Sequence, residues 1–330
     1  MYYRLSRRML TGACFLFALL FSNPAFAQLD EIKAFLESGS NNATALTKAY
    51  LSPLPTGLST TLNSGWTTKA APTKKLGFSL QVRTAVAAVP SSGQSFDASQ
   101  IGLVNANVTA GTSNTIAGSK GSGQTISDPG NNYSFNVPGG TGFSYVPTAM
   151  IQGNVGLIKG TDVTVRYIPE TGLGDYGDIA LFGAGIKHGL NQWIPGGKLL
   201  PVDISLMAAF TSIDVSADLE FNAGATDQKV ETTTDSFVFN ALVGKTLPFI
   251  SAYAGVGFQT GSFELNMVGD YDLGGGQILS DPVSYTQDSD AGIHALAGLQ
   301  FKVAILRIYA EATVAEYTTV NAGIGIGFRN

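Results

Sequence analysis

The most constraining feature of this chain is a two-residue alternation in which charge stays on one face. Leu306, Ile308, Ala310, Ala312 and Val314 alternate with Ile305, Arg307, Tyr309, Glu311 and Thr313. Val320, Ala322, Ile324, Ile326 and Phe328 alternate with Thr319, Asn321, Gly323, Gly325 and Gly327, and Ile293 to Phe301 alternate with His294, Gln300 and Lys302. Successive side chains of a strand point to opposite faces, so each stretch is a strand with one apolar and one polar, glycine-rich face. About ten such segments occur, at 75–88, 147–157, 161–169, 177–188, 201–216, 229–245, 249–266, 290–302, 304–314 and 318–328. A charge on the lipid face of a membrane barrel costs roughly 2–4 kcal/mol near the midplane, so a wall bathed in hydrocarbon demands this segregation. The expected fold is all-β: a transmembrane antiparallel β-barrel of about ten strands, within a range of 8–14, preceded by a short N-terminal helical segment.

A soluble two-sheet sandwich also alternates, but it places its charged residues on the outer face. Here the majority face is apolar, and charged residues are only 13% of the chain against about a quarter in soluble domains. After residue 27 no apolar run reaches the roughly 18 residues of a membrane-spanning helix, so strands must do any crossing. An open sheet would leave unpaired edges in lipid at several kcal/mol per backbone group, which favours closure. The connections 89–146, 170–176, 217–228 and 267–289 are longer or more polar than 158–160, 246–248 and 303. That asymmetry predicts outer loops on one side and periplasmic turns on the other. The twelve-residue stretch 189–200 falls on the short-turn side and has no explanation in the sequence.

Residues 1–27 read as a signal peptide, with a basic start at Arg4, Arg7 and Arg8, an apolar stretch from Met9 to Phe21, and Ala25-Phe26-Ala27 before cleavage. A retained anchor is disfavoured because the apolar stretch is short and breaks at Ser22-Asn23-Pro24. The single cysteine, Cys14, leaves with this segment, and Thr11 makes it a poor lipidation site. Residues 28–72 form a second unit and 73–330 the barrel. Leu29, Ile32, Phe35 and Leu36 repeat at helical spacing; Leu46, Ala49 and Tyr50 continue on a second helix from Asn42, stopped by Pro53 and Pro55. This unit is expected either on the periplasmic side, as a leader helix on the surface, or in the lumen, as a plug or strut touching the barrel.

Three stretches resemble an uncharacterised family of exported outer-membrane barrels known mostly from Bacteroidota. They are Leu46 to Pro53 with Leu62-Asn63-Ser64-Gly65-Trp66; Lys159-Gly160-Thr161-Asp162 with Arg166-Tyr167-Ile168-Pro169; and Glu316 to Thr319 with Ala322 to Arg329. The resemblance covers nearly all of the exported chain except 89–146, and it implies an outer-membrane barrel without an assigned activity. A looser architectural likeness is to long-chain fatty-acid transporters, which also place a helical hatch before a barrel. Phe328 is similar to the aromatic residue that ends many such barrels, which implies the barrel-assembly machinery as a partner, although Arg329 and Asn330 follow it.

The inward-facing candidates are Arg83, Arg166, Lys187, Asp203, His294, Lys302, Arg307 and Glu311, with Gln81, Asn240, Tyr253, Gln300 and Tyr309 among them. Such residues either build a charged constriction that selects solutes or fill a narrow lumen with ion pairs. His188 and His294 lack a nucleophile or acid motif around them and lack metal-ligand spacing, so no catalytic, cofactor or metal role is expected. The loop from Gly269 to Gly276 with Asp281 groups acidic oxygens but lacks the helices and final glutamate of an EF-hand. Asp214, Asp218, Glu220, Asp227, Asp270, Asp272, Asp281, Asp288 and Asp290 give an acidic outer rim that disfavours nucleic acid. The 89–146 loop is a constriction, a lid or a contact surface. Outer-membrane lipid and a small solute are the remaining expected partners. The expected role is porin-like or facilitated passage of that solute, and the alternative is a non-conducting barrel whose outer loops bind a partner.

Overall fold

A computed structural model describes residues 34–130, 132–172, 177–219, 228–289 and 292–329; the signal-peptide reading, Leu29 and Ile32 of the first helical repeat, and Glu220, Asp227 and Asp290 fall outside these residues. Ten strands form the wall: β1 (Phe78–Ala88), β2 (Tyr145–Gly156), β3 (Thr161–Gly172), β4 (Asp178–Gly189), β5 (Asp203–Asp218), β6 (Lys229–Thr246), β7 (Ile250–Val268), β8 (Gly292–Val303), β9 (Leu306–Val314) and β10 (Thr319–Phe328). Each pairs antiparallel with its sequence neighbour, and β1 pairs with β10 from Phe78↔Phe328 to Ala87↔Thr319, closing the ring. Closure leaves no edge among the wall strands, which satisfies the backbone in hydrocarbon.

The alternation places the side chains as the period requires. Along β9, Leu306, Ile308 and Val314 are exposed on the outside while Arg307, Tyr309, Glu311 and Thr313 are buried within. Phe78, Leu80, Phe182, Phe210, Phe237 and Phe301 extend the exposed apolar belt around the ring.

Strands β5, β6 and β7 run to 16, 18 and 19 residues, well beyond the roughly 9–11 that cross a bilayer, so they project past the long-loop end. A further strand, Val283–Asp288, pairs with the projecting part of β7 from Ser262 to Met267, beyond Gln259, where the pairing with β8 ends. Leu219, Val230, Phe263, Leu265 and Val283 form one apolar wall above the barrel mouth.

Two helices close this mouth. Helix α1 (Ser40–Tyr50) lies against the Val283–Asp288 strand and packs Ala43, Leu46 and Tyr50 into the same cluster. Helix α2 (Pro53–Asn63) descends into the lumen against β1, β2, β6 and β7. Helix α1 ends at Tyr50, ahead of Pro53 and Pro55 as the sequence predicts, but a further helix that the sequence does not predict starts at those prolines. Pro53 and Pro55 stand in the first turn of α2, where no backbone N–H has an intrahelical partner to lose. Within α2, Thr60 and Thr61 donate to the carbonyls of Thr56 (2.7 Å) and Gly57 (3.0 Å), which lets threonines line a buried helix.

Residues 89–144 form a lid. Short strands pair Asn107–Val108 with Thr125–Ser127 and the latter with Ser134–Asn136, and Ile126 and Val137 are buried in the mouth cluster. Ile116 N–H donates to Tyr50 O at 2.9 Å, and Asn42 exchanges two bonds of 2.9 Å with the Val104 backbone. At the opposite end, stretch 189–200 is a folded turn: Asn191 Nδ2 donates to Gly197 O and Val202 O, and Trp193 Nε1 donates to His188 Nε2 at 2.8 Å. Its Trp193, Leu199 and Leu200 stand exposed at the rim, so the length reflects an apolar projection rather than a missing strand.

Candidate functional site

From α2, residues 64–77 run without regular structure through the lumen to the short-turn end, where Leu76 N–H donates to Gly156 O at 2.9 Å and the chain turns back into β1. The N-terminal unit therefore enters at the long-loop mouth and leaves at the opposite one. An irregular buried backbone must find partners outside itself, and here the barrel wall supplies them.

Two arginines grip the upper part. Arg166 on β3 donates Nη1 to Leu62 O at 2.5 Å, Nη2 to Ser64 O at 2.6 Å and Nε to Gln152 Oε1 at 2.9 Å. Its guanidinium lies 3.8 Å from the centre of the Trp66 ring. Arg83 on β1 donates to Gly65 O and Thr67 O and stacks 4.9 Å from Tyr309. Glu311 on β9 completes the clamp: Oε1 accepts from Gly65 N–H at 2.6 Å and Oε2 from Tyr253 OH at 2.7 Å. Each hydrogen bond has one ionised member, the stronger class.

Gly65 has φ 70°, and a methyl group there would stand 2.5 Å from both Arg83 Nη1 and Asn321 Nδ2. Only glycine fits both the left-handed backbone and the contact. Trp66 lies over the glycine strip of β4, where a methyl on Gly185 would meet the indole at 2.9 Å. Trp66 and Ala70 pack with Met207, Val238, Leu242, Tyr253 and Leu296, so apolar side chains enclose the indole away from Arg166.

Below the clamp, Lys187 on β4 donates Nζ to Thr67 Oγ1 at 2.8 Å and Lys69 O at 3.0 Å, and pairs with Asp162 of β3 at 3.4 Å. Asp162 Oδ2 also accepts from Thr73 N–H at 2.7 Å, and Thr73 Oγ1 donates to Asn154 Oδ1 at 2.7 Å. The segment in this half follows β2, β3 and β4. Across from it, Gln81 Oε1, Gln300 Oε1, Arg307 Nε and Tyr309 OH are buried with no protein partner.

Among the eight inward candidates, the structure brings Arg83, Arg166, Lys187 and Glu311 onto one ligand, the N-terminal segment itself. His294 is buried beside Asn240 (2.7 Å) on the far wall, and Arg307 donates to the carbonyls of Ala304, Leu306 and Gly327 near the short turn. Asp203 and Lys302 point inward at the rim and remain partly exposed, because each stands at the short-turn end of its strand. Asp162, Gly65 and Trp66 were not among the candidates; the signal available was their place in the quoted motifs, Lys159 to Asp162 and Leu62 to Trp66. The 269–281 carboxylates are occupied locally, Asp281 Oδ1 by Gly269 N–H and Asp272 Oδ1 by Gly274 N–H. No group of three metal-ligating side chains occurs among the described residues.

The match to a family is decisive over almost the full length, residues 6–328. The chain belongs to DUF6588, a family of unknown function. No curated protein matches this DUF6588 chain. Solved structures similar to it include Ail, the attachment invasion locus protein of Yersinia pestis, at 10% identity and TM-score 0.27 over 77% of this chain and 97% of that one. The outer membrane protease OmpT of Escherichia coli matches at 10% identity and TM-score 0.32, over 76% and 96%. The translocator domain of the autotransporter NalP of Neisseria meningitidis matches at 11% identity and TM-score 0.27, over 89% and 99%. At these scores the likenesses carry no argument, and the fold of this DUF6588 chain stands on its own hydrogen-bonded ring.

Proposed function

We propose that this protein is an outer-membrane barrel sealed by its own N-terminal segment, and that it acts through its capped outer end on a partner rather than as an open pore. One observation carries the reading: residues 64–77 cross the whole lumen and are gripped along the way by Arg166, Arg83, Glu311, Lys187 and Asp162. Residue 77 is fixed at the short-turn end while α1 is packed into the opposite mouth. Outward movement of the helices therefore leaves chain across the lumen; only withdrawal of α1 and α2 through the barrel would clear it. With long loops facing outward, Ala34 and helix α1 lie at the cell-surface end, beside the acidic rim.

Planar-bilayer recording tests this. The purified protein should give no steady single-channel steps, and regular conductance from the wild type overturns the reading. A second reading, facilitated passage of a small solute past the segment, draws support from the unpartnered polar atoms of Gln81, Gln300, Arg307 and Tyr309 on the free wall.

A further inference from the structure

The short-turn rim differs in charge from the outer end. Lys74, Lys75, Lys159, Lys245, Lys302 and Arg329 lie in or beside its described turns, against one partly exposed carboxylate, that of Asp203. Three of these cations converge. Pro72 to Lys75, from the end of the threaded segment, and Leu157 to Gly160, from the β2–β3 turn, line one groove of about 380 Å3 that contains no acidic residue. The groove walls are pinned together: Leu76 N–H donates to Gly156 O at 2.9 Å, Gly156 N–H to Gly77 O at 2.8 Å and Leu157 N–H to Thr161 O at 2.8 Å. Gln192 Nε2 holds the Lys159 carbonyl at 2.6 Å. Lys74, Lys75 and Lys159 are exposed and have no carboxylate within 4.0 Å among the described residues.

The apolar residues around the groove choose among anions. Phe78 and Val155, paired across β1 and β2, are 49% and 46% exposed on the lipid-facing belt. Leu76 (69%), Leu157 (44%) and Ile158 (59%) continue that belt to the groove itself. Acyl chain, interface and cation thus follow one another along a single line, the order that a phospholipid presents. We propose that this groove binds the headgroup of an anionic phospholipid from the leaflet at the short-turn end, its phosphate between Lys74, Lys75 and Lys159 and its chains along Leu157, Ile158 and Phe78. The site requires that the barrel stand in a membrane but is independent of whether the lumen conducts.

The experiment compares lipid retained on the purified barrel in nanodiscs of phosphatidylglycerol mixed with phosphatidylcholine, read by native mass spectrometry. At about 1 kcal/mol per interfacial cation, the variant K74Q/K75Q/K159Q should lower the preference for phosphatidylglycerol over phosphatidylcholine roughly a hundredfold. The rim variant K245Q/R329Q should leave it unchanged. All five side chains are exposed, and heat-modifiable gel mobility checks that each variant is folded. Equal loss in both variants would reduce the effect to diffuse rim charge and overturn the site. Saturation by inorganic phosphate, with the lipid no better at equal concentration, would overturn the lipid as its occupant.

Discussion

Substituting Gly65 by alanine tests the seal at its tightest point without touching the barrel wall. Residue 65 has φ 70°, and a left-handed backbone costs a non-glycine residue roughly 1–2 kcal/mol. The added methyl group would also stand 2.5 Å from Arg83 Nη1 and Asn321 Nδ2, both buried and both engaged with the segment. Overpacking of that kind costs about 1–3 kcal/mol. Together these weaken seating of the segment by about 2–5 kcal/mol, or roughly 30- to 4,000-fold at 1.4 kcal/mol per factor of ten. The readout is trypsin cleavage after Lys69, whose side chain is 5% exposed in the seated segment, resolved by mass spectrometry from cuts at exposed sites such as Lys74 and Lys75. Cleavage should accelerate by that factor while heat-modifiable mobility of the barrel is retained. Gly102→Ala serves as the control, since it imposes the same backbone strain (φ 79°) with nothing within 4 Å. A Gly65→Ala protein that is folded and resists trypsin as well as wild type would refute the argument that Arg83, Glu311 and Gly65 form the clamp.

Breaking the buried Lys187–Asp162 pair from one side, as Asp162→Asn, should destabilise the folded barrel by about 3–5 kcal/mol in denaturant unfolding. The double variant D162N/K187M should recover part of that loss, and additive losses would deny the coupling. Trp66→Ala should cost about 3–5 kcal/mol, since the ring fills the space between β4 and the apolar lumen residues; an unfolding midpoint unchanged from wild type would show that it does not. An epitope inserted just before Ala34 should be labelled by antibody on intact cells, and labelling only after the outer membrane is opened would reverse the assigned orientation. Burial, with Asp281 nearby, raises the Tyr271 hydroxyl from 10 to about 12. Tyr271 lies in a hairpin that pairs Asp270–Asp272 with Ile278–Ser280, and its folded value above the ordinary one means that the stability contributed by the neutral hydroxyl is fully present below pH 10 and is lost as pH rises through about 12. Ultraviolet phenolate absorbance of wild type against Tyr271→Phe should show that late step; titration at pH 10 would contradict it.

The wall was legible because one physical contrast, hydrocarbon outside and protein inside, repeats every second residue from Phe78 to Phe328. The register of β9 and β10, with Arg307 opposite Gly325 and Glu311 opposite Asn321, follows directly from it. The segment in the lumen was not legible in the same way. Residues 64–77 have no period, since wall residues scattered over several strands fix them at irregular intervals, and threonine, glycine and lysine there look like a surface linker. Arg83 and Arg166 could be placed on the inner face, but a pore lining and a clamp on a peptide use the same residue types. Pro53 read as a stop because a proline both ends one helix and opens the next. The long strands β5 to β7 were visible as strands, yet their projection beyond the membrane depends on packing against α1 and the lid.

The segment threaded through a ring that is closed by the β1–β10 hydrogen bonds has a consequence for biogenesis. A barrel already sewn shut offers no route for α1 and α2 to reach the far mouth except end-first through a space that Trp66 and the β4 glycines leave tightly filled. Residues 34–77 must therefore be laid along the nascent curved sheet before the β1–β10 seam is zipped, with wall and strand assembling as an interlocked pair. A polypeptide expressed from residue 78 onward and one supplied separately as residues 34–77 should consequently fail to combine once the ring has formed.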